Sequence, residues 1–204
     1  MRIFLTLSLT MLISPAWAAH AYAQFGDIKY PPDFKHFSYV NPVAPKGGNI
    51  TMVAPSRASS FDKYNPFTLK GTAPPALNSL MLETLLVGNF DEPTTAYGLL
   101  AEDVSVAADK LSVTFKLNPL ARFHNGDPVL ASDVKYSFER LTSKQAAPQF
   151  RTYFSEVKGL TVLADRVVRF DFKRANAELP LIVGGMPVFS QKWGAEKPLD
   201  QVVT

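Results

Sequence analysis

Leu100-Ala101-Glu102, Asp109-Lys110-Leu111-Ser112-Val113-Thr114-Phe115-Lys116-Leu117, Ala121-Arg122-Phe123-His124-Asn125-Gly126-Asp127-Pro128-Val129 and Ser132-Asp133-Val134-Lys135-Tyr136-Ser137-Phe138-Glu139 form one run of about forty residues. Its periods change in an informative order. Val113, Phe115 and Leu117 alternate with Ser112, Thr114 and Lys116, which predicts a strand with one apolar face. Phe123 to Pro128 is a turn cluster. Val134, Phe138 and Leu141 then recur at helical spacing, with Lys135 and Glu139 as an i,i+4 pair.

Outward from this run the pattern is a mixed α/β chain. Downstream, Val168, Phe170 and Phe172 oppose Arg169, Asp171 and Lys173 in a strand, preceded by another near Leu160–Leu163, with Asp165-Arg166 as the hairpin turn between them. A short helix over Asn176–Val183 and a strand over Met186–Phe189 follow. Upstream, Asn49 to Ala54 reads as a first strand through Ile50, Met52 and Ala54. Pro74-Pro75 opens a helix with Leu77, Leu80, Met81 and Leu85 on one face, ended by Gly88-Asn89. Residues 24–48 are aromatic, proline-punctuated and aperiodic. Strands and helices alternate without an internal repeat.

The first residues are a leader. Met1-Arg2 is basic, Ile3 to Ile13 is apolar, Ser14-Pro15 breaks the run, and Ala16-Trp17-Ala18 fits a small-x-small cleavage pattern. Ala19-His20-Ala21 and Ala21-Tyr22-Ala23 fit it too, so a signal peptide occupies residues 1–23 with the cut after 18 or after 23. The apolar run is far short of the roughly 20 residues a spanning helix needs. No cysteine lies near the cut to carry lipid. The expectation is Sec-dependent export to the periplasm without lipidation.

Composition narrows the chemistry. The 204 residues contain no cysteine, which excludes thiolate nucleophiles and Cys-ligated metals. The net charge of +3 falls to +2 when Arg2 leaves with the leader, too weak a footprint for nucleic acid. His36 and His124 stand far apart with no metal-ligand spacing, and His20 leaves with the leader or lies beside its cut. Glu102-Asp103 and Asp91-Glu92 are adjacent carboxylates that point to opposite sides, which reads as solvated charge and not as an acid–base dyad. Gly47-Gly48 and Gly184-Gly185 lack the helix and lysine of a phosphate cradle. No catalytic constellation, metal site or cofactor site emerges. Phe61, Tyr64 and Phe67, in a polar loop after the first predicted strand, read either as cover for the core edge or as the rim of a ligand crevice.

The forty-residue run resembles the signature of the family 5 extracellular solute-binding proteins, which serve peptide and nickel ABC importers. Two departures stand out. Asn125 replaces the usual aspartate of the F-H-D-G-x-P turn, and Leu130 replaces a Ser/Thr helix cap, so that cap is weaker or shifted to Ser132. Lys29-Tyr30-Pro31, Phe34-Lys35-His36-Phe37, Tyr39-Val40-Asn41-Pro42, Ala44-Pro45-Lys46-Gly47-Gly48 and Leu179-Pro180-Leu181-Ile182-Val183-Gly184 are similar to the oligopeptide and microcin C-binding subgroup. The likeness covers about residues 25–204. Family members run to roughly two and a half times this length, so the chain reads as an N-terminal part.

The resemblance implies an α/β, periplasmic-binding-protein-like type II fold, two-lobed at full length. Residues 24–82 would be the first part of lobe I, 83–188 an inserted α/β subdomain, and 189–204 the start of the return to lobe I. A periplasmic solute-binding component of an ABC importer is implied, a monomer that captures oligopeptides or peptide-like antibiotics such as microcin C. It would deliver them to an inner-membrane ABC permease. In relatives the segment before the first long helix lines the cleft, matching Lys70, Gly71, Thr72 and Ala73. A residue beside an alanine–proline turn after the signature helix reaches it too, matching Gln149 or Phe150. The alternatives are a binding protein of the same fold for nickel, an opine or a sugar, and a secreted hydrolase fragment, which would need a nucleophile or acid–base pair.

Overall fold

A computed structural model of the chain describes residues 19–51, 53 and 61–202. Strands are β1 (Ala21–Ala23), β2 (Glu83–Thr84), β3 (Leu86–Gly88), β4 (Thr95–Gly98), β5 (Ala101–Val106), β6 (Ser112–Leu117), β7 (Val157–Ala164), β8 (Val167–Phe172) and β9 (Pro187–Val188). Helices are α1 (Leu77–Met81), α2 (Ala131–Thr142), α3 (Pro148–Tyr153) and α4 (Leu179–Gly184). Three sheets form: β5-β6-β8-β7, β1-β4-β3 and β2-β9, all with antiparallel pairing.

The four-stranded sheet realises the period-two pattern. Val113, Phe115 and Leu117 of β6 and Val168 and Phe170 of β8 are all fully buried. The register sets Phe115 opposite Val168 and Val113 opposite Phe170. Alternation therefore places one apolar row of each strand on the same face. Helix α2 lies against that face, with Val134 and Leu141 fully buried. Phe138 meets Phe170 edge-to-face at 5.7 Å, and Phe170 meets Phe115 at 5.9 Å. The Asp165-Arg166 turn joins β7 to β8, and Asp165 O accepts Ala131 N–H at 2.8 Å, fixing where α2 starts.

The Phe123–Pro128 cluster is a tight turn. Phe123 N–H donates to Asp127 O and Gly126 N–H to Phe123 O, both at 2.9 Å, and Gly126 has φ +87°. Asn125 has a use that aspartate lacks: its side-chain NH₂ donates to the Asp127 carboxylate at 2.9 Å. Lys192 Nζ reaches the same carboxylate at 2.7 Å. Lys192 first and Asn125 second hold the Asp127 carboxyl below its usual range.

Several sequence expectations need correction. Among the described residues at 49–51 and 53 there is no strand, and Ile50 and Val53 are exposed; Met52 and Ala54 lie outside the described residues. The helix after Pro74-Pro75 ends at Met81, and the short strands β2 and β3 follow with a bend at Leu85 between them. The pull is tertiary: β3 pairs with β4, and Leu85 and Leu86 enter the core. Gly88-Asn89 thus ends a strand. The short helix begins at Leu179, after an Asn176 turn in which Oδ1 accepts Glu178 N–H at 2.9 Å, and the following strand is only β9. The helix cap remains at Leu130 and does not move to Ser132.

Residues 19–38 are built into the fold. The leader read over 1–23 divides here: residues 1–18 lie outside the described residues, whereas β1 pairs with β4. A second small core surrounds Tyr97, fully buried against Tyr30, Phe34 and Phe37 at ring distances of 5.2–5.6 Å. The adjacent carboxylates Asp91 and Glu92, read from sequence as solvated charge, fasten this core. Asp91 accepts hydrogen bonds from Tyr30 Oη, Lys29 Nζ and Ser38 Oγ. Glu92 accepts from Tyr97 Oη at 2.5 Å and from Lys29 N–H at 2.9 Å. The bond from Tyr30, then those from Lys29 and Ser38, draw the Asp91 carboxyl down to about 2. Burial first, then the bond to Glu92, pushes the Tyr97 phenol up to about 12.

Phe115→Ala lowers the unfolding free energy by about 3–5 kcal/mol, read from the denaturant midpoint. For Asp91, a folded value below the unfolded one means stabilisation that is full above about pH 4 and lost as pH falls toward 2. Asp91→Asn therefore melts below the parent at neutral pH, and the gap closes on acidification; a gap constant from pH 7 to 2 contradicts this. The Tyr97 contribution runs the other way, full below pH 10 and lost as pH rises toward 12.

Candidate functional site

A cavity of about 620 Å³ opens where three loops and α1 converge. Phe67, Leu100, Val129, Val188 and Phe189 are buried residues of its floor, and Tyr64, Leu80 and Met81 are exposed at its rim. Phe123, His124, Asn125 and Trp193 form a further wall, with Glu83 and Arg122 as its charged residues. Arg122 Nη1 donates to Pro119 O and Ala121 O at 2.9 Å, so the guanidinium is partly committed to its own loop. Volume and lining fit a small-molecule or side-chain pocket, for which about 300–1,000 Å³ of mostly apolar space is usual.

Two anchors hold the walls. Asn65, fully buried, donates from Nδ2 to Leu199 O at 2.7 Å and Val202 O at 3.0 Å, while its Oδ1 accepts Phe67 N–H. Phe67 meets Phe189 in a tilted pair at 5.2 Å and Phe150 edge-to-face at 5.6 Å. Of the three loop rings noted in the sequence, Phe67 covers the core edge, Tyr64 stands at the rim, and Phe61 is exposed outside the cavity.

Helix α2 supplies the second anchor. Asp133, nearly fully buried, accepts Leu130 N–H on Oδ2 at 2.9 Å and Gln191 N–H on Oδ1 at 2.8 Å. Ser137 Oγ accepts Phe189 N–H at 2.9 Å. Tyr136 Oη donates to Trp193 O at 2.8 Å, and Arg140 Nη2 to Gly194 O and Lys197 O. The stripe at 133, 136, 137 and 140 is an i, i+3, i+4, i+7 face that flanks the apolar one, and Lys135 and Glu139 are the exposed positions of the helix.

The site residues expected from resemblance lie around this cavity and not in its lining. Lys70 and Gly71 are exposed and Thr72 and Ala73 half-buried, in the loop leading into α1. Gly71 has φ +80°, and a Cβ there would meet Asp62 Oδ1 at 2.6 Å. That oxygen accepts Thr72 N–H at 2.8 Å, so glycine lets the loop close on Asp62. Gln149 is exposed in the first turn of α3, while Phe150 is half-buried against Phe67. Sequence reasoning missed Trp193, Arg122 and Met81 as wall residues; Trp193, in a loop downstream of the last predicted strand, was a usable signal. Among the described residues no three His, Cys, Asp or Glu side chains gather as a metal site, and no helix is long and apolar enough to cross a membrane.

Asp133→Ala leaves two amides without their acceptor and costs about 2–4 kcal/mol, with faster hydrogen exchange at Leu130 and Gln191. Ser132→Ala changes stability by less than about 0.5 kcal/mol, because Ser132 is not the cap; a larger loss contradicts that assignment.

Residues 95–203, more than half of the chain, match the family described as bacterial extracellular solute-binding proteins, family 5, middle region. The probable peptide-binding protein YejA of Agrobacterium fabrum is 36% identical over 94% of this chain and 32% of its own length. The peptidoglycan-binding protein YepA of the same organism is 37% identical over 80% of this chain and 27% of its own. The oligopeptide-binding protein AppA of Bacillus subtilis, solved with a nonapeptide, superposes with a TM-score of 0.57 at 16% identity, over 68% of this chain and 27% of AppA. The chain thus spans about a third or less of the length of these proteins.

Proposed function

The chain belongs to the bacterial extracellular solute-binding proteins of family 5, and from that premise we propose that it is part of a periplasmic ABC-importer component that captures oligopeptides. It represents part of a type II periplasmic-binding-protein fold. The captured peptide passes to an inner-membrane permease. The observation that carries this reading is the aromatic-lined cavity of about 620 Å³, whose walls are held by Asn65 and by helix α2. Such a cavity takes an apolar side chain while an extended backbone lies across its mouth. The Lys70–Ala73 loop and the Gln149–Phe150 turn then flank the ligand. The backbone amides of the loop offer directional bonds, and Phe150 transmits contact to the floor through Phe67.

The division at 83 and 188 fits this reading. Glu83 of β2 pairs with Val188 of β9, so the chain enters and leaves the intervening unit at adjacent points, as an inserted subdomain requires. A second reading of the ligand is a cell-wall peptide, favoured by the 37% identity to a protein named for peptidoglycan binding.

The test is a chimera in which residues 19–202 replace the matching segment of A. fabrum YejA, titrated with oligopeptide pools, peptidoglycan-derived peptides, opines and Ni²⁺. Oligopeptides bind. Lys70→Ala and Gln149→Ala, both at exposed positions, each weaken them about tenfold, a loss of about 1.4 kcal/mol, at near-constant melting temperature. Response to the cell-wall peptides alone selects the second reading, and response only to nickel or opines removes both.

A further inference from the structure

We propose that export cleaves the Ala18–Ala19 bond and no later one, so that β1 is the first structural element of the exported protein. Ala16-Trp17-Ala18, Ala19-His20-Ala21 and Ala21-Tyr22-Ala23 each place small side chains at the last and third-last positions before a cut. On sequence they are equivalent. In the fold they are not, because every residue from Ala19 to Ala23 is engaged.

Ala19 exchanges two backbone hydrogen bonds with Val104, at 3.1 and 2.8 Å, and so bridges the three-stranded sheet to β5. His20 O accepts Gly98 N–H at 2.8 Å, and His20 Nε2 lies 2.8 Å from Tyr30 O. Ala21 is only 2% exposed and pairs with Tyr97. Tyr22 Oη donates to Ala177 O at 2.8 Å, 155 residues along the chain. A cut after Ala21 removes the Val104 bridge and the cover over Tyr97. A cut after Ala23 removes all of β1 and leaves β4 as an open edge beside a fully buried tyrosine. Only the cut after Ala18 spares every one of these contacts.

The chemistry at that bond is compatible with the fold. Hydrolysis by the export peptidase puts the hydroxyl of water on the Ala18 carbonyl carbon and the proton on the Ala19 nitrogen. The resulting ammonium sits at the nitrogen position that donates to Val104 O, and a charged donor strengthens that bond.

The proposal rests on the leader reading, and its test separates the two. The chain is expressed with its own N-terminus, and the periplasmic form is examined by N-terminal sequencing and intact mass after a short pulse. A single species starting at Ala19 is expected. A start at Tyr22 or Gln24 overturns the proposed bond while keeping the leader. An intact Met1, or recovery only with membranes, overturns the leader and the proposal together.

Discussion

The segment from Phe189 to Val202 has little repetitive structure, yet Phe189, Leu199 and Val202 are buried in it. Buried backbone needs partners, and here side chains from other elements supply many of them. Asp133, Tyr136, Ser137 and Arg140 hold the first half from one stripe of α2, and Asn65 holds the second half from 134 residues upstream of Leu199. The rest of the site depends on this constraint. Phe189 and Trp193 form cavity wall because α2 fixes their backbone, and Phe67 forms floor because the Asn65 that grips Leu199 and Val202 also accepts Phe67 N–H. The Asp133 carboxylate at the N-terminus of α2 also faces the positive end of the helix dipole, a favourable place for a buried anion.

Where one period governed both local structure and burial, the fold was legible. The alternation in β6 and β8 and the apolar face of α2 needed no knowledge of neighbours, since each element buries the stripe its own spacing creates. Leu77 to Leu85 shows the opposite case. Its spacing suits a helix, but pairing of β3 with β4 and burial of Leu85 outweigh a preference of a few tenths of a kcal/mol per residue. The Asn49–Ala54 alternation failed differently: the described residues have no strand partner, and alternation without a partner makes no sheet.

The candidate site was less legible, and for a related reason. Its walls come from residues 64–67, 77–83, 122–125 and 188–193, which no local pattern connects. Nothing in the sequence singles out the polar stripe of α2, because four hydrogen-bonding residues at helical spacing do not reveal whether water or a loop lies against them. Asp91 and Glu92 misled in the same way. Their ligands, Lys29, Tyr30, Ser38 and Tyr97, come from two separate stretches that only the fold brings together.

That last cluster also bears on how the molecule is divided. Residues 19–38 reach β4 and the 91–92 turn through β1, the Tyr97 ring cluster and the Asp91 bonds. They are therefore fastened to β4 and the 91–92 turn. The loop from Lys63 to Phe67 is tied instead to Ala147, Leu199 and Val202. The cavity lies between these two attachments, bounded by the β2–β9 crossing where Glu83 meets Val188. One buried core runs through both sides, since Phe67 and Leu199 pack in the same cluster as Phe115 and Phe170, so the floor of the cavity is common to the two attachments.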